Sequence, residues 1–93
     1  MADNKHFVII DGNNFSTIEG FYDEFTEKFA APSYFGRNLD ALNDILYDIS
    51  NENTIVIWEN ANKSKKDLNI IKNDEALFEV IVEIFNDHVQ LIL

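Results

Sequence analysis

Residues 32–49 read PSYFGRNLDALNDILYDI, and the rest of the chain is organised around them. Pro32 and Gly36 mark a loop, and Asn38 is a favourable N-cap for a helix that follows it. At about 100° per residue, the apolar and polar side chains of this helix fall on opposite sides. The inward side comprises Leu39, Leu42, Ile45, Leu46 and Ile49, and the outward side comprises Asp40, Asn43, Asp44, Tyr47 and Asp48. The stretch therefore predicts a loop and an amphipathic helix over residues 39–49.

Three acids stand one turn apart on the outward side of this helix: Asp40, Asp44 and Asp48. Each like-charge pair at this spacing costs about 0.2–0.5 kcal/mol, and aspartate is a mediocre helix former. No lysine or arginine within the helix offsets these charges. Because this acidic row destabilises the helix that carries it, it indicates a function in binding another molecule, such as a cationic partner. From the residues alone, a solvated helix face remains an equal alternative.

Part of this stretch resembles a known family. Residues 34–42, with the sequence YFGRNLDAL, and Asp44 after them are similar to the loop and second helix of the barstar family. Members of that family are small intracellular proteins that inhibit a secreted or toxic ribonuclease. The resemblance continues more weakly through the strand spacing, Trp58 and the helix–strand pair at the end of the chain. It implies a barstar-like fold and a role as a ribonuclease inhibitor or immunity protein.

The same resemblance implies which residues bind the partner. In the barstar family the second helix and its preceding loop plug the nuclease active site, where carboxylates take the places of RNA phosphates. Carried onto this chain, the partner-binding residues are Tyr34, Phe35, Gly36, Asn38, Asp40, Asn43, Asp44, Tyr47, Asp48 and, from the last helix, Glu83. The family has a tryptophan in place of Asn43, and a hydroxyl residue and a glycine in place of Tyr47 and Asp48. These departures predict a target other than barnase.

Composition limits the remaining possibilities. The 93 residues predict one domain, 1–93, that can bury one core without metals or disulfides. Cysteine is absent, which suits a reducing cytoplasm, and the apolar run at residues 7–10 is too short for a signal or membrane segment. The net charge of −10 argues against binding nucleic acid and favours fast association with a basic protein. We therefore expect a cytoplasmic protein, monomeric when free, with no nucleic-acid or membrane partner.

The first half of the chain predicts a strand, two helices and a second strand. The run at residues 6–10 is apolar without alternation, which is typical of a strand buried on both faces. A capping box at residues 16–19 begins the first helix, which ends by about residue 31, before Pro32. Its inward side comprises Ile18, Phe21, Tyr22, Phe25 and Phe29, and its water-facing side comprises Asp23, Glu24 and Glu27. Residues 54–58 form a second apolar strand.

The second half predicts a polar loop over residues 60–66 with one helical turn near 65–69, a helix from residue 74 and a strand over 88–93. An acidic row runs along the last helix: Glu75, Glu79, Glu83 and Asp87. This element order predicts an α/β fold, with three parallel strands joined by right-handed crossovers and packed with three to four helices. We place the first strand in the centre of the sheet because it is the most uniformly apolar, and the resemblance implies the same. A sheet this small can leave one face partly open.

The sequence does not predict an enzyme. Asp40 and Asp44 could form a carboxylate pair, but no nucleophile-and-base arrangement or glycine-rich phosphate loop accompanies them. His6 and His88 could be neighbours across the sheet, although single structural histidines are much commoner. We therefore expect no catalytic residue, cofactor or metal. The expected partner is a small basic ribonuclease or nuclease toxin domain, and the alternative is an acidic interaction module for another basic protein.

Overall fold

The computed structural model describes residues 4–72 and 74–93 of the chain. Its elements in chain order are β1 (His6–Asp11), a short 3-10 helix (Gly12–Asn14), α1 (Ile18–Phe29), α2 (Leu39–Ile49), β2 (Thr54–Glu59), α3 (Ala61–Asp67), β3 (Ile71–Lys72), β4 (Glu75–Ala76), α4 (Leu77–His88) and β5 (Gln90–Ile92). The predicted α/β architecture, with a three-stranded parallel sheet and four α-helices over these residues, is confirmed. None of the helices in the described ranges has the length and apolar character needed to cross a membrane.

The strand order of the parallel sheet is β1-β2-β5. The middle strand is therefore β2, and the prediction that the first strand is central is wrong. β1 pairs with β2 along its whole length, whereas β5 pairs with residues 55–57 of β2. Because β2 lies between the outer strands, His6 at the start of β1 and His88 before β5 are not neighbours on adjacent strands.

The apolar run of β1 led to this wrong prediction because one face of the sheet is open to solvent. Val8 and Ile10 point into the core, whereas Phe7 is 58% exposed and Ile9 is 42% exposed. Alternate side chains of a strand point to opposite faces, so an uninterrupted apolar run leaves half of its side chains on the open face. The expectation that a small sheet leaves one face partly open is confirmed.

The core is built around Trp58 on the middle strand. The Trp58 ring stacks on Phe21 of α1, with 5.5 Å between centroids, and meets Phe85 of α4 edge-on at 6.0 Å. Its Nε1–H donates a hydrogen bond of 3.0 Å to Oγ of Ser64 in α3, and both side chains are fully buried. Because buried aromatic rings supply large contact areas, this cluster holds α1, α3 and α4 against β2.

Helix α1 begins and packs nearly as the sequence predicts. Its N-cap is Thr17, one residue after the first residue of the predicted capping box, and Thr17 Oγ1 accepts a hydrogen bond of 3.1 Å from the Gly20 amide. The aromatic inward side is confirmed, with Phe21, Tyr22 and Phe25 all buried. The stripe therefore packs against the sheet as the 3.6-residue period requires.

Glu24 was predicted to face water, and this prediction is wrong, because its side chain is only 4% exposed. Its carboxylate accepts hydrogen bonds from the Asp11 amide at 2.9 Å, the Asn14 side-chain amide at 3.1 Å and Lys28 Nζ at 3.0 Å. Lys28 also donates to the Ile9 carbonyl at 3.3 Å. A carboxylate is tolerated in the interior when its oxygens are paired in this way. Glu24 and Lys28 thus join α1 to the outer edge of β1.

The region from residue 60 to residue 77 differs from the prediction. Asn60 adopts a left-handed conformation with φ of 56°, and the polar run after it is the helix Ala61–Asp67 rather than a loop. A short antiparallel hairpin, β3 paired with β4, follows it. Consequently α4 begins at Leu77, three residues later than predicted, and Glu75 belongs to β4 rather than to the last helix.

Candidate functional site

The loop before α2 is ordered by one buried aromatic ring. The Phe35 amide donates to the Pro32 carbonyl at 3.0 Å, which closes a turn. This turn directs the Phe35 ring into the core, where it is 7% exposed and lies 5.8 Å from the Tyr22 ring and 5.3 Å from the Phe25 ring. Tyr34, its neighbour in sequence, is 75% exposed. Of the two aromatic residues in the family-like motif, Tyr34 therefore lies on the surface and Phe35 anchors the loop.

Arg37 fastens the other end of the loop to α1. Its guanidinium donates to Asp23 Oδ1 at 2.7 Å and to the Glu19 carbonyl at 3.1 Å. The guanidinium carbon lies 5.9 Å from the centre of the Tyr22 ring. Burial and the Glu19 carboxylate raise the pKa of Tyr22 above its usual value, and the Arg37 charge opposes this shift only in part. The backbone of Arg37 has a positive φ of 53°, a conformation that costs energy for a residue with a side chain. These contacts offset that cost and hold the chain where α2 begins.

Asn38 starts α2 in the way that the sequence predicts. Its Oδ1 accepts a hydrogen bond of 2.8 Å from the Ala41 amide, and its Nδ2 donates to the Gly36 carbonyl at 3.4 Å. Gly36 has a negative φ, but a Cβ at this position would lie 3.3 Å from the Ala41 Cβ. Both residues therefore shape the junction between the loop and α2.

Helix α2 spans Leu39–Ile49, as predicted, and its two sides separate as predicted except at Ile49, which was placed on the inward side but is 38% exposed at the end of the helix. Leu42, Ile45 and Leu46 are buried. The opposite side is exposed along its whole length and carries Asp40, Asn43, Asp44, Tyr47 and Asp48. We call these five residues, together with the exposed Tyr34 of the loop, the acidic face.

The acidic face has no internal charge compensation among the described residues. Its three aspartates take part in none of the ion pairs found there, which involve other acids: Glu24, Asp23, Asp67 and Glu79. At a rise of about 1.5 Å per residue, the three carboxylates repeat about every 6 Å along the helix. A row of this kind produces a negative field that a cationic group enters without first displacing a resident partner.

The centre of the acidic face is linked to α4. The His88 Nε2–H donates to Asn43 Oδ1 over 2.7 Å, with the ring nitrogens assigned from this contact. The His88 ring also meets the exposed Tyr47 ring edge-on, with 6.3 Å between centroids. The position that is tryptophan in the barstar family thus holds an amide that is engaged with the last turn of α4. This contact depends on the packing of two helices, and no pattern in the sequence reveals it.

The predicted acidic row of α4 divides between two sides of the molecule. Glu79 lies 3.8 Å from Lys65 Nζ and so faces α3. Val80 lines a groove beside Asp40 of α2, and Asp87 lies two helical turns after Val80 on the same stripe. Glu83 is exposed on α4, and at about 100° per residue it falls between these two stripes. Asp87, which directly precedes His88, is an additional candidate that sequence reasoning did not select.

The predicted site residues are thus brought together in unequal ways. Tyr34, the outward residues of α2 and Glu83 of α4 are all exposed. Gly36 and Asn38 hold the loop junction, and Phe35 lies in the core. Across the described ranges, no group of three or more histidine, cysteine, aspartate or glutamate side chains is arranged to hold a metal ion.

Comparison with known proteins gives two findings. The family model described as Barstar (barnase inhibitor) matches residues 5–91 of the chain. A Bacillus subtilis (strain 168) protein with the name "Putative ribonuclease inhibitor YrdF" is 51% identical over 39 residues. That match covers 42% of this chain and 43% of the relative, so the two chains correspond over less than half of the length of each.

Proposed function

The chain belongs to the barstar (barnase inhibitor) family, and from this membership we propose that it is a cytoplasmic inhibitor of a small basic ribonuclease or nuclease toxin. The relative from Bacillus subtilis, whose name describes a ribonuclease inhibitor, supports the same role. The observation that carries the proposal is the exposed and uncompensated acidic face on α2. The chain acts by binding the nuclease and does not itself hydrolyse RNA.

In the proposed mechanism the acidic face occupies the nuclease active site. A ribonuclease binds the phosphates of RNA through cationic side chains, and Asp40, Asp44 and Asp48 offer carboxylates to those same groups. The carboxylates stand on a formed helix, so little conformational entropy is lost when they meet the partner. A pair of opposite charges that is removed from water at an interface contributes more binding free energy when both charges are already held in position.

Two exposed tyrosines flank the acids and serve as contact residues. Tyr34 is 75% exposed and Tyr47 is 76% exposed, although each ring is large enough to bury a substantial area. Tyrosine is enriched among the residues that dominate binding energy in protein interfaces. Phe35, Gly36 and Asn38 act indirectly, because they hold the loop that carries Tyr34. Glu83 adds a carboxylate from α4 at the border of the interface.

The chemistry at Asn43 favours a nuclease whose surface differs from that of barnase. Asn43 places a polar side chain at the centre of α2 and uses its oxygen to accept a hydrogen bond from His88. A central tryptophan would instead fill an apolar recess in the partner. The same observation supports the alternative function, in which the acidic face binds a basic protein that is not a nuclease.

The experiment measures hydrolysis of a fluorogenic RNA substrate by barnase and by any small basic nuclease encoded beside the gene for this chain. One equivalent of the chain should reduce the rate of its target to background, and the chain alone should release no fluorescence. Binding of a basic non-nuclease protein without inhibition of either enzyme would favour the alternative. RNA hydrolysis that co-purifies with the chain and disappears in an Asp40→Asn/Asp44→Asn variant would refute the proposal.

The association rate provides a second test. A domain with a net charge of −10 should attract a basic nuclease over distances comparable to the Debye length, which is about 30 Å at 0.01 M salt and 3 Å at 1 M. The association rate constant should therefore fall by about tenfold or more between low and high salt, with a smaller change in the dissociation rate. Stopped-flow fluorescence measures both rates. An association rate that does not respond to salt would place the interface away from the acidic face.

A further inference from the structure

A groove with a volume of about 740 Å³ opens beside the acidic face. It lies between the start of α1, the residues that begin α2, and the β4–α4 junction. Its apolar wall includes Leu39 of α2, Leu77 and Val80 of α4, and Ile70, which is 57% exposed. The groove thus places an exposed large apolar side chain beside the acidic face.

Three carboxylate residues line the groove together with this apolar wall: Glu19, Asp40 and Glu75. Asp40 stands in the first turn of α2 and Glu19 in the first turn of α1, and both line the groove. The cation that also lines it, Arg37, is already committed, since its guanidinium is bound to Asp23 and to the Glu19 carbonyl. Neither Glu19 nor Asp40 belongs to an ion pair among the side chains that the structure describes.

The shape and charge of the groove match one kind of side chain. Arginine and lysine have a long apolar stem with a cation at the tip, and they bury the stem along apolar surface while the tip stays at a polar edge. The groove offers an apolar wall for such a stem and acids at its rim for the tip. Asp40 belongs both to the groove and to the acidic face, so the two surfaces are continuous.

We propose that this groove receives an arginine or lysine side chain of the same protein that binds the acidic face. The inference rests on the proposed function for the identity of that protein, a basic ribonuclease. It extends the interface from α2 across the loop to the start of α1 and to α4, and it makes Glu19 and Ile70 specificity-determining residues. A nuclease without a basic residue at the matching position would bind only through the acidic face.

The first test requires no nuclease. The isotope-labelled chain is titrated with N-acetyl-arginine N-methylamide to tens of millimolar while methyl and amide NMR shifts are followed. Saturable shifts should centre on Leu39, Ile70, Leu77 and Val80, and N-acetyl-norleucine N-methylamide, which lacks the cation, should bind more weakly. Glu19→Gln should weaken binding of the arginine probe by about two- to fivefold, as expected for a partly exposed ion pair.

The matched control is Glu27→Gln, which removes the same charge from an exposed position on the same helix, about 12 Å further along α1. It should leave binding of the arginine probe unchanged within error. Equal binding of the two probes would overturn the assignment of a cationic side chain. Shifts confined to the acidic face, no shifts at all, or equal effects of Glu19→Gln and Glu27→Gln would overturn the groove as the site.

The second test uses the nuclease that the chain inhibits. Glu19→Gln should raise the inhibition constant by about two- to tenfold more than Glu27→Gln does, and Ile70→Ser should also raise it. If both carboxylate variants inhibit alike, the groove lies outside the interface even though the proposed function stands. If the unsubstituted chain inhibits no nuclease, the proposed function fails, while the arginine titration still decides whether the groove binds a cationic side chain.

Discussion

The substitution Asp44→Ala tests whether Asp44 contributes to partner binding or to the stability of the fold. Asp44 lies in the middle of α2, is exposed, and belongs to no ion pair or side-chain hydrogen bond among the described residues. If its carboxylate meets the cations of a nuclease, its removal leaves those cations buried and unpaired. We expect partner affinity to fall by several kcal/mol, as for other buried charge pairs at interfaces.

The effect of the same substitution on stability should have the opposite sign. Asp44 is one turn from both Asp40 and Asp48, and each like-charge pair costs about 0.2–0.5 kcal/mol. Replacing aspartate by alanine also gains up to about 0.7 kcal/mol in helix propensity. The free energy of unfolding should therefore rise by about 0.5–1.5 kcal/mol. For a domain of this size, each kcal/mol raises Tm by about 4–8 °C.

Thermal and urea unfolding, combined with titration calorimetry against the inhibited nuclease, measure both quantities. Leu42→Ala provides the contrast, since Leu42 is fully buried and its truncation should cost about 2–5 kcal/mol of stability. Glu27→Ala, on the exposed side of α1, controls for loss of one negative charge. A clear loss of stability in Asp44→Ala would show that the residue is structural. Binding equal to that of Glu27→Ala would show that the interface lies on another face.

Three further predictions concern the framework that holds the site. Glu24→Ala should lower the free energy of unfolding by about 3–5 kcal/mol in urea, because it leaves three donors unpaired around a buried position; a loss below 1 kcal/mol would refute this. Gly12→Ala should cost about 1–3 kcal/mol, since the new Cβ would lie 2.5 Å from Ser64 Oγ; unchanged Tm would refute the close approach. The Asn13 amide and the Asn60 side chain lower the pKa of Asp11 below 3.8, so the stability it contributes is complete above pH 3.8 and is lost as the pH falls through the lowered pKa. NMR titration of the Asp11 carboxyl should show the lowered pKa. In that pH range, the stability of Asp11→Asn should depend less on pH than that of the unsubstituted chain, as measured by acid unfolding.

The local parts of the fold and of the site were predictable because their causes are local. Asn38 caps α2 through a hydrogen bond to an amide three residues later, and the helix takes the bounds that its apolar repeat indicates. The exposure of Asp40, Asp44 and Asp48 follows from the 3.6-residue period alone. The membership of the chain in its family was visible in the loop–helix motif, and the family match over residues 5–91 confirms it.

Errors arose where a local pattern had two tertiary outcomes. The apolar run of β1 was consistent with a central strand, but it also suits an outer strand of a sheet with one open face, which is what the chain forms. The polar run after Asn60 was consistent with a loop, yet it forms α3, whose Ser64 is needed as the partner of Trp58. Periodicity and propensity do not distinguish these outcomes, because the deciding contacts join residues that are distant in sequence.

The elements near the site, the amphipathic character of α2 and the row of acids on its outer side follow from local sequence, since each depends on residues within one or two helical turns. How these parts meet depends on the packing of segments that are distant in sequence. This packing buries Phe35 rather than Tyr34, pairs Glu24 with Lys28 at the edge of β1, and sets His88 against Asn43. It also forms the groove between α1, α2 and α4. These features depend on which helix faces rest on the sheet, and that is set by packing the whole core at once, because each buried group must find its partner from another segment.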